Sequence, residues 1–107
     1  MPDLSPDAPI ISNENGGKQS DTGTRMDLIP GDAMLAIGGI FDYGARRYSE
    51  NNWKLIEVKA HLNHLLTHVY AYLAGDTQDE HLSHAATRAL MALQVAIEDE
   101  RKRKQTE

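Results

Sequence analysis

The feature that most constrains this chain is a sequence repeat that contains all five of its histidines. Residues 61–68, with the sequence HLNHLLTH, are echoed twenty residues later by residues 81–88, with the sequence HLSHAATR. Both copies run on to a leucine at the same offset, Leu73 and Leu93. Since successive residues on an α-helix rotate by about 100°, the apolar residues of each copy fall on one stripe. The repeat therefore predicts two amphipathic helices of one design.

The apolar stripes of these two helices are the predicted core. In the first copy the stripe is formed by Leu55, Val58, Leu62, Leu65, Leu66, Val69, Tyr72 and Leu73. In the second copy it is formed by Leu82, Ala85, Ala86, Ala89, Leu93, Ala96 and Ile97. Because apolar side chains at this spacing are typical of a helix face that packs on a neighbour, we expect both stripes to be buried.

A second stripe, which is polar, lies at the same offset from the apolar stripe in both copies. Residues 74–78 form a short connection, so the two helices should be antiparallel neighbours. Antiparallel helices that pack by equivalent faces are related by a two-fold rotation, which places both polar stripes on one face of the hairpin. The members of this predicted polar face are Glu57, His61, His64, His68, His81, His84 and Arg88.

The remaining chain completes an all-α fold with one short helix before the hairpin. Asp32 is a suitable N-cap and Gly44 a suitable C-cap for a helix over residues 32–43, and the hairpin helices are predicted over residues 55–74 and 79–99. We predict a disordered or loosely attached arm over residues 1–15, the helical domain over residues 16–99 and a charged tail over residues 100–107. Apolar residues beyond what one short helix covers predict an oligomeric helical bundle, a dimer or tetramer: Tyr70, Tyr72, Leu90, Met91 and Val95.

Composition limits the possible functions. A chain of 107 residues with 40% hydrophobic and 25% charged residues is typical of one globular domain. No apolar run approaches the roughly 20 residues that cross a bilayer, and the N-terminus lacks a signal pattern. The chain has no cysteine, which excludes disulfides and cysteine zinc sites. These features lead us to expect a cytoplasmic protein, and the net charge of −5 argues against nucleic acid as the main partner.

Two segments before the repeat could bind a nucleotide. Gly16 and Gly17 beside Lys18, followed by Arg25, could bring backbone N–H groups and cations to a phosphate, although an ordinary flexible loop is the alternative. Residues 44–53 contain the single tryptophan. Aromatic side chains there could stack on a base, an asparagine could bind the nucleoside and arginines could meet phosphate. The alternative is that Trp53 anchors the segment to the core and the arginines are solvated. The residues concerned are Tyr48, Asn52, Trp53, Arg46 and Arg47.

The histidines of the polar face could share a metal ion, because histidines three or four residues apart lie on one helix face. Imidazole together with carboxylate suits Mn, Fe, Co, Ni or Zn better than Mg, so the nearby acids Glu57, Asp76, Asp79 and Glu80 decide which ion fits. The alternative for each histidine is an imidazole at the edge of the core that only makes a hydrogen bond. The candidate ligands are His61, His64, His68, Asp79, His81 and His84.

Several motifs in combination resemble the phage dATP/dGTP diphosphohydrolase N-terminal domain family. They are GGKQ at 16–19, RMDLIP at 25–30, GARRY at 44–48, Asn52-Trp53, HLNH at 61–64, GDTQDEHLSHA at 75–85 and RALMAL at 88–93. The resemblance covers about residues 16–93. It implies a phage or bacterial protein similar to the MazG-like all-α nucleotide pyrophosphohydrolases, which are helical, oligomeric and dependent on divalent metal. Those enzymes cleave a nucleoside triphosphate between the α and β phosphates.

The resemblance implies roles for particular residues, with one departure. The wider superfamily holds its metals with Glu-Glu-x-x-Glu and Glu-x-x-Asp motifs, and this chain has histidines where those motifs are expected. We therefore expect Mn, Mg, Co or Zn to be held by the candidate ligands and to act on a (deoxy)purine nucleoside triphosphate. Glu57 or Glu80 would orient or deprotonate the attacking water, and Arg88, with Lys18 or Arg25, would offset phosphate charge. The rival hypothesis is a non-catalytic nucleotide- or metal-binding helical oligomerisation module.

Overall fold

The N-terminal thirty residues form their own small unit. A computed structural model of the chain describes residues 1–106, and the chain divides into two units between Pro30 and Gly31. The first unit contains an antiparallel hairpin of β1 (Ile10–Ser12) and β2 (Lys18–Ser20), in which Ile11 pairs with Gln19. The Asn13 side-chain oxygen accepts the backbone N–H of Gly17 at 2.8 Å and stabilises the turn. This hairpin was not predicted from the sequence, because its strands are short and exposed.

The second unit contains three helices and confirms the predicted helical fold. In order they are α1 (Gly31–Arg47), a 3-10 helix (Asn52–Leu55), α2 (Val58–Leu73) and α3 (His81–Gln105). α1 extends further than predicted at both ends. Asp32 lies in its first turn rather than at the cap, and Gly44 lies inside it, where the Gly44 carbonyl accepts the Tyr48 N–H at 3.0 Å. Arg46 and Arg47 in the last turn suit the helix dipole.

α2 and α3 form the predicted antiparallel hairpin. α2 ends where Gly75 adopts a φ of +83°, a left-handed conformation that glycine accepts without a steric penalty. The Asp76 N–H donates to the Ala71 carbonyl at 3.0 Å and closes the end of the helix. The connection to α3 is therefore short and folded back. As a result, residues late in α2 lie beside residues early in α3.

α3 is the central helix, because both α1 and α2 pack on it. Its buried residues include Ala85, Ala92 and Val95, and α1 contributes Ile37. Among residues 1–106, the two side chains with no exposed surface are both polar, His61 and Thr87. The Thr87 hydroxyl donates to the Ser83 carbonyl at 2.8 Å, so its burial leaves no unpaired group.

The prediction that both apolar stripes are buried was wrong for most of their leucines. Leu66 is 50% exposed and Leu73 72% exposed on α2, and on α3 Leu82 and Leu93 are 56% and 58% exposed. The reason is that α1 and the 3-10 helix cover the side of the hairpin that carries His61 and Thr87. Only part of each apolar stripe is therefore covered: Ala85 is buried and Leu65 half-buried, whereas these four leucines remain exposed. Among residues 1–106, no helix is both long and apolar enough to cross a membrane.

Candidate functional site

A cavity of about 420 Å³ lies between the end of α1, the segment that follows it and α3. This volume falls within the range of small-molecule sites, which is about 300–1,000 Å³. Its lining combines aromatic, amide and basic side chains. The residues that argue for a ligand are Phe41, Tyr48, Asn52, Trp53, His68, His84 and Arg88. The structure thus brings the three predicted nucleoside-binding residues together with Arg88 and two of the histidines.

The segment that follows α1 is held in an unusual conformation beside the cavity. Asn51 has a φ of 62°, which a residue other than glycine seldom adopts. The Trp53 ring meets the Phe41 ring edge to face, with centroids 5.9 Å apart. Lys54 pairs with Glu98 of α3 at 3.3 Å. Trp53 therefore anchors the segment, which was one of the two predicted alternatives, and it also lines the cavity. Its stacking on a base stays a prediction.

The arginines at the end of α1 have local partners. Arg47 Nη1 donates to the Tyr43 hydroxyl at 3.0 Å, and its guanidinium lies 5.4 Å from the centre of the Tyr48 ring. Arg46 instead pairs with Asp42 at 3.2 Å on an exposed part of the helix. Only Arg47 of this pair lines the cavity.

The buried His61 connects Trp53 to Arg88, and we call these three residues the arginine network. His61 Nε2 lies 2.9 Å from the Trp53 carbonyl oxygen, which can only accept, so Nε2 carries the proton. His61 Nδ1 then accepts from Arg88 Nη1 at 3.1 Å. Burial lowers the pKa of the Arg88 guanidinium, yet an arginine stays charged in a protein. Within residues 1–106, no carboxylate forms a salt bridge with Arg88.

A second group of side chains lies nearer the turn of the hairpin, and we call it the histidine network. His68 Nδ1 lies 3.0 Å from His81 Nδ1, and His81 Nε2 lies 2.6 Å from Asp76 Oδ2. The His84 ring stacks on the His68 ring at 4.8 Å with a 13° angle between planes, and its Nε2 lies 3.2 Å from Asp79 Oδ1. These contacts across the hairpin confirm that the two polar stripes share one face.

The pKa values of His68, Asp76 and Asp79 in the histidine network are all lowered by their surroundings. Burial lowers the pKa of the His68 imidazole, the neighbouring imidazoles of His84 and His81 lower it further, and the Asp79 carboxylate partly opposes them. The hydrogen bond from His81 is the main reason that the pKa of Asp76 is lowered. The pKa of Asp79 is lowered chiefly by the backbone N–H of Glu80. The network therefore holds carboxylates beside imidazoles at neutral pH.

The predicted metal ligands do not converge on one point. Both nitrogens of His61 and both of His81 already have protein partners. The His68 and His84 rings are nearly parallel, so their in-plane lone pairs cannot meet at one ion. Residues 1–106 contain no group of three or more histidine and acidic side chains placed to hold a metal. As these side chains are arranged, they do not fit a metal ion, and the metal role of His61, His64, His68, Asp79, His81 and His84 stays a prediction.

Several predicted site residues lie outside the cavity. Glu57 and Glu80 precede α2 and α3, are exposed and do not line it, so their role in activating water stays a prediction. His64 is exposed as well. The roles predicted for Lys18 and Arg25 stay predictions, because these residues belong to the separate N-terminal unit. There Lys18 lies on β2 and Arg25 forms a two-bond pair with Asp27.

Two residues next to the site were not singled out for it from the sequence. Asp76 was considered only as one of the acids that decide which metal ion fits, and Phe41 was not considered for the site. The signal for Asp76 was its place in a short turn five residues before His81, which brings its carboxylate onto the ring. For Phe41 no such signal was present in the sequence, because its place beside the cavity depends on its contact with Trp53.

Comparison with known proteins agrees with the resemblance expected from the motifs. A family model described as dATP/dGTP diphosphohydrolase, N-terminal, matches residues 13–105. No curated protein matches the chain, and no solved structure matches it. The match covers most of the 107 residues, including all three helices and the residues of both networks. The chain therefore belongs to the dATP/dGTP diphosphohydrolase N-terminal domain family.

Proposed function

We propose that the cavity binds dATP or dGTP and that the chain cleaves the bond between the α and β phosphates, giving a nucleoside monophosphate and pyrophosphate. The observation that carries this proposal is the environment of Arg88. It is a half-buried cation that lines an aromatic cavity and has no acidic partner among residues 1–106. A cation kept out of water without a counter-charge is stabilised by an anionic ligand.

The arginine network suits phosphate for a second reason. His61 accepts from Arg88 as a neutral ring, so it fixes the guanidinium without cancelling its charge. Only Nη1 of Arg88 makes a hydrogen bond within residues 1–106, which leaves Nε and Nη2 as donors. A planar guanidinium can present two parallel N–H groups to two phosphate oxygens. In this proposal Arg88 binds the phosphates and offsets the charge that develops during hydrolysis.

The aromatic side of the cavity suits the base. Trp53, Tyr48 and Phe41 all line it, and Tyr48 is 63% exposed, so its ring remains available for stacking. Purines offer a larger face for stacking than pyrimidines. Asn52 supplies an amide that can both donate to and accept from a base edge or sugar. The proposal assigns the nucleoside to these residues and the phosphates to Arg88.

Hydrolysis by members of this family is expected to need a divalent ion, as the resemblance implies. We assign no step to a metal held by the protein, because the candidate ligands are not arranged as a metal site within the described residues. The histidines that line the cavity, His68 and His84, are instead available to exchange protons with water or substrate. The dependence on Mn²⁺, Mg²⁺, Co²⁺ or Zn²⁺ is a property for the assay to measure.

Release of pyrophosphate tests the proposal. The purified chain should convert dATP and dGTP to monophosphates, and we expect Mn²⁺ or Mg²⁺ to support the reaction and a chelator to stop it. Arg88→Met should abolish turnover, whereas Arg101→Met, the same change in the exposed last turns of α3, should not alter it. If neither purine triphosphate is bound or cleaved under any of these conditions, the proposed function is wrong.

A second candidate function, the non-catalytic oligomerisation module, is favoured by the exposed leucines of α2 and α3. We propose that these leucines pair two or more copies of the chain, because a solvated stripe of this kind is a common self-association surface. Sedimentation should show a dimer or tetramer at micromolar concentration. Leu66→Lys should dissociate it, while Thr67→Lys, the same change on the neighbouring exposed residue, should not. A wild-type monomer would contradict self-association, and nucleotide turnover would rule out a purely non-catalytic module.

A further inference from the structure

The histidine network contains a continuous line of hydrogen bonds that runs from an acid to the cavity. Asp76 Oδ2 lies 2.6 Å from His81 Nε2, and His81 Nδ1 lies 3.0 Å from His68 Nδ1. His68 lines the cavity, whereas Asp76 and His81 do not. Within residues 1–106, His68 Nε2 makes no hydrogen bond. The line therefore ends at one unused ring nitrogen of a residue that borders the ligand space.

The direction of each hydrogen bond follows from simple counting of protons. A carboxylate only accepts, so His81 Nε2 carries a proton and donates it to Asp76. A neutral imidazole has one N–H, so His81 Nδ1 is then an acceptor. Its partner, His68 Nδ1, must carry the proton that joins the two rings. With both rings neutral, His68 Nε2 has no proton and presents a lone pair.

We propose that Asp76 is a positioning residue that acts through His81 to hold His68 with its proton on Nδ1, leaving Nε2 as the proton acceptor for the attacking water. This inference rests on the proposed function, because the water is the one that hydrolyses the triphosphate. The water oxygen bonds to the phosphorus, and its proton passes to His68 Nε2. The bond from the attacked phosphorus to the oxygen that bridges the α and β phosphates breaks. Its electron pair stays on that oxygen and leaves with the other product, which is pyrophosphate or the nucleoside monophosphate.

The surroundings of the line keep each of its members in place. The backbone and side-chain N–H groups of Gln78 both donate to the Asp76 carboxylate, at 3.1 Å and 2.9 Å, and fix its orientation. His81 is the first residue of α3, so its backbone is set by the helix. His84 stacks on His68 and restricts rotation of that ring. The arrangement has the logic of an acid that sets the tautomer of a catalytic histidine through hydrogen bonding, here with one additional ring between them.

Nitrogen NMR of the imidazoles tests the proposal without any substrate. Spectra of ¹⁵N-labelled protein at about pH 8, above the ordinary histidine pKa of about 6.5, separate protonated from unprotonated ring nitrogens. The His68 signals are assigned with His68→Gln. We expect wild-type His68 to carry its proton on Nδ1, and Asp76→Ala to shift part of the population to Nε2. Asp99→Ala, an exposed site near the other end of α3, serves as the control and should leave the tautomer unchanged. A wild-type proton on Nε2, or the same tautomer in Asp76→Ala as in wild type, would overturn the proposal.

Kinetics provide the second readout. Asp76 is expected to act on the general base His68 and not on nucleotide binding. Asp76→Ala should therefore lower kcat by about 10-fold or more while KM is unchanged. Turnover with unchanged kcat in this variant would also overturn the proposal. If the wild-type chain neither binds nor cleaves the triphosphate but His68 shows the expected tautomer, the proposed function fails while the role of Asp76 in setting the tautomer stands. The two failures are therefore distinguishable.

Discussion

The arginine network and the histidine network lie on one face of the same hairpin and differ in what balances their charge. His61 and His81 are equivalent residues of the repeat, yet His61 is bonded to a carbonyl and a guanidinium, and His81 to a carboxylate and another imidazole. The first network leaves a positive charge at the cavity, and the second leaves a ring nitrogen. The two equivalent histidines thus differ in their chemistry because their hydrogen-bond partners differ. One network suits phosphate binding and the other proton transfer.

Removing His68, the histidine proposed as the general base, should have the largest effect on turnover. General-base catalysis contributes about 10²- to 10⁴-fold, so we expect His68→Gln to lower kcat by about 100-fold or more, with affinity for the triphosphate unchanged. His64→Gln is the matched control, because His64 belongs to the same stripe of α2 but is exposed and outside the cavity. Steady-state kinetics and nucleotide binding should be measured on both variants. Equal losses in the two variants would remove His68 from the chemistry.

Removing the buried histidine should mainly affect stability. His61→Ala leaves the Trp53 carbonyl and the Arg88 guanidinium without their partner and opens a cavity around a fully buried side chain. We expect the free energy of unfolding to fall by about 2–4 kcal/mol. His64→Ala, on the exposed part of the same helix, should change it by less than about 0.5 kcal/mol. Urea unfolding of both variants gives the comparison, and similar values for the two would contradict a structural role for His61.

Loss of the exposed aromatic ring should weaken nucleotide binding moderately. Stacking of a base on an aromatic side chain contributes about 1–3 kcal/mol, so Tyr48→Ala should raise the Kd for dATP about 10-fold. Tyr72→Ala is the control, because Tyr72 is similarly exposed on α2 but does not line the cavity. Fluorescence or calorimetric titration measures both. An unchanged Kd for Tyr48→Ala would show that the nucleobase does not stack on Tyr48.

The smallest expected effect is a dependence of stability on pH that comes from the histidine network. The pKa of His68 is lowered from its usual 6.5 by burial and by His84 and His81. The unfolded chain therefore binds this proton more readily than the folded chain. Stability is fully present above about pH 6.5 and falls as the pH is lowered through that value. Unfolding midpoints between about pH 5 and pH 8 should show this fall, and His68→Gln should reduce it. A steeper fall of stability with decreasing pH in His68→Gln would contradict the assignment of this pH dependence to His68.

The part of this organisation that depends on local sequence was predictable. Periodicity predicted the helices, and the matching offsets of the repeat predicted one shared polar face, on which His68 stacks with His84. Which face of the hairpin would be buried was not predictable, because both faces have helical spacing and α1 with the Trp53 segment decides between them. The buried state of His61 and the exposed state of Leu93 are consequences of that choice.

The partners within the site depend on side-chain positions that no spacing specifies. Sequence alone grouped the histidines as metal ligands, since residues on one stripe can share an ion. In the structure the ring of His81 is instead satisfied by Asp76 and His68, and the two rings that stack point in parallel directions. The same residues thus form hydrogen-bonded pairs. Asp76 could be placed near α3 from the sequence, but its contact with the ring depends on the folded turn at Gly75.

The most direct test of the account is the affinity of the wild-type chain and of Arg88→Met for a non-hydrolysable dATP analogue and for deoxyadenosine. If Arg88 is the phosphate-binding cation, its loss should weaken binding of the triphosphate about 100-fold, as expected for a charged hydrogen-bonded contact removed from a shielded site. Binding of deoxyadenosine should be unchanged. Arg101→Met should match wild type for both ligands. Equal affinity of wild type and Arg88→Met for the triphosphate analogue would contradict the central claim that an unpaired arginine makes this cavity a nucleotide site.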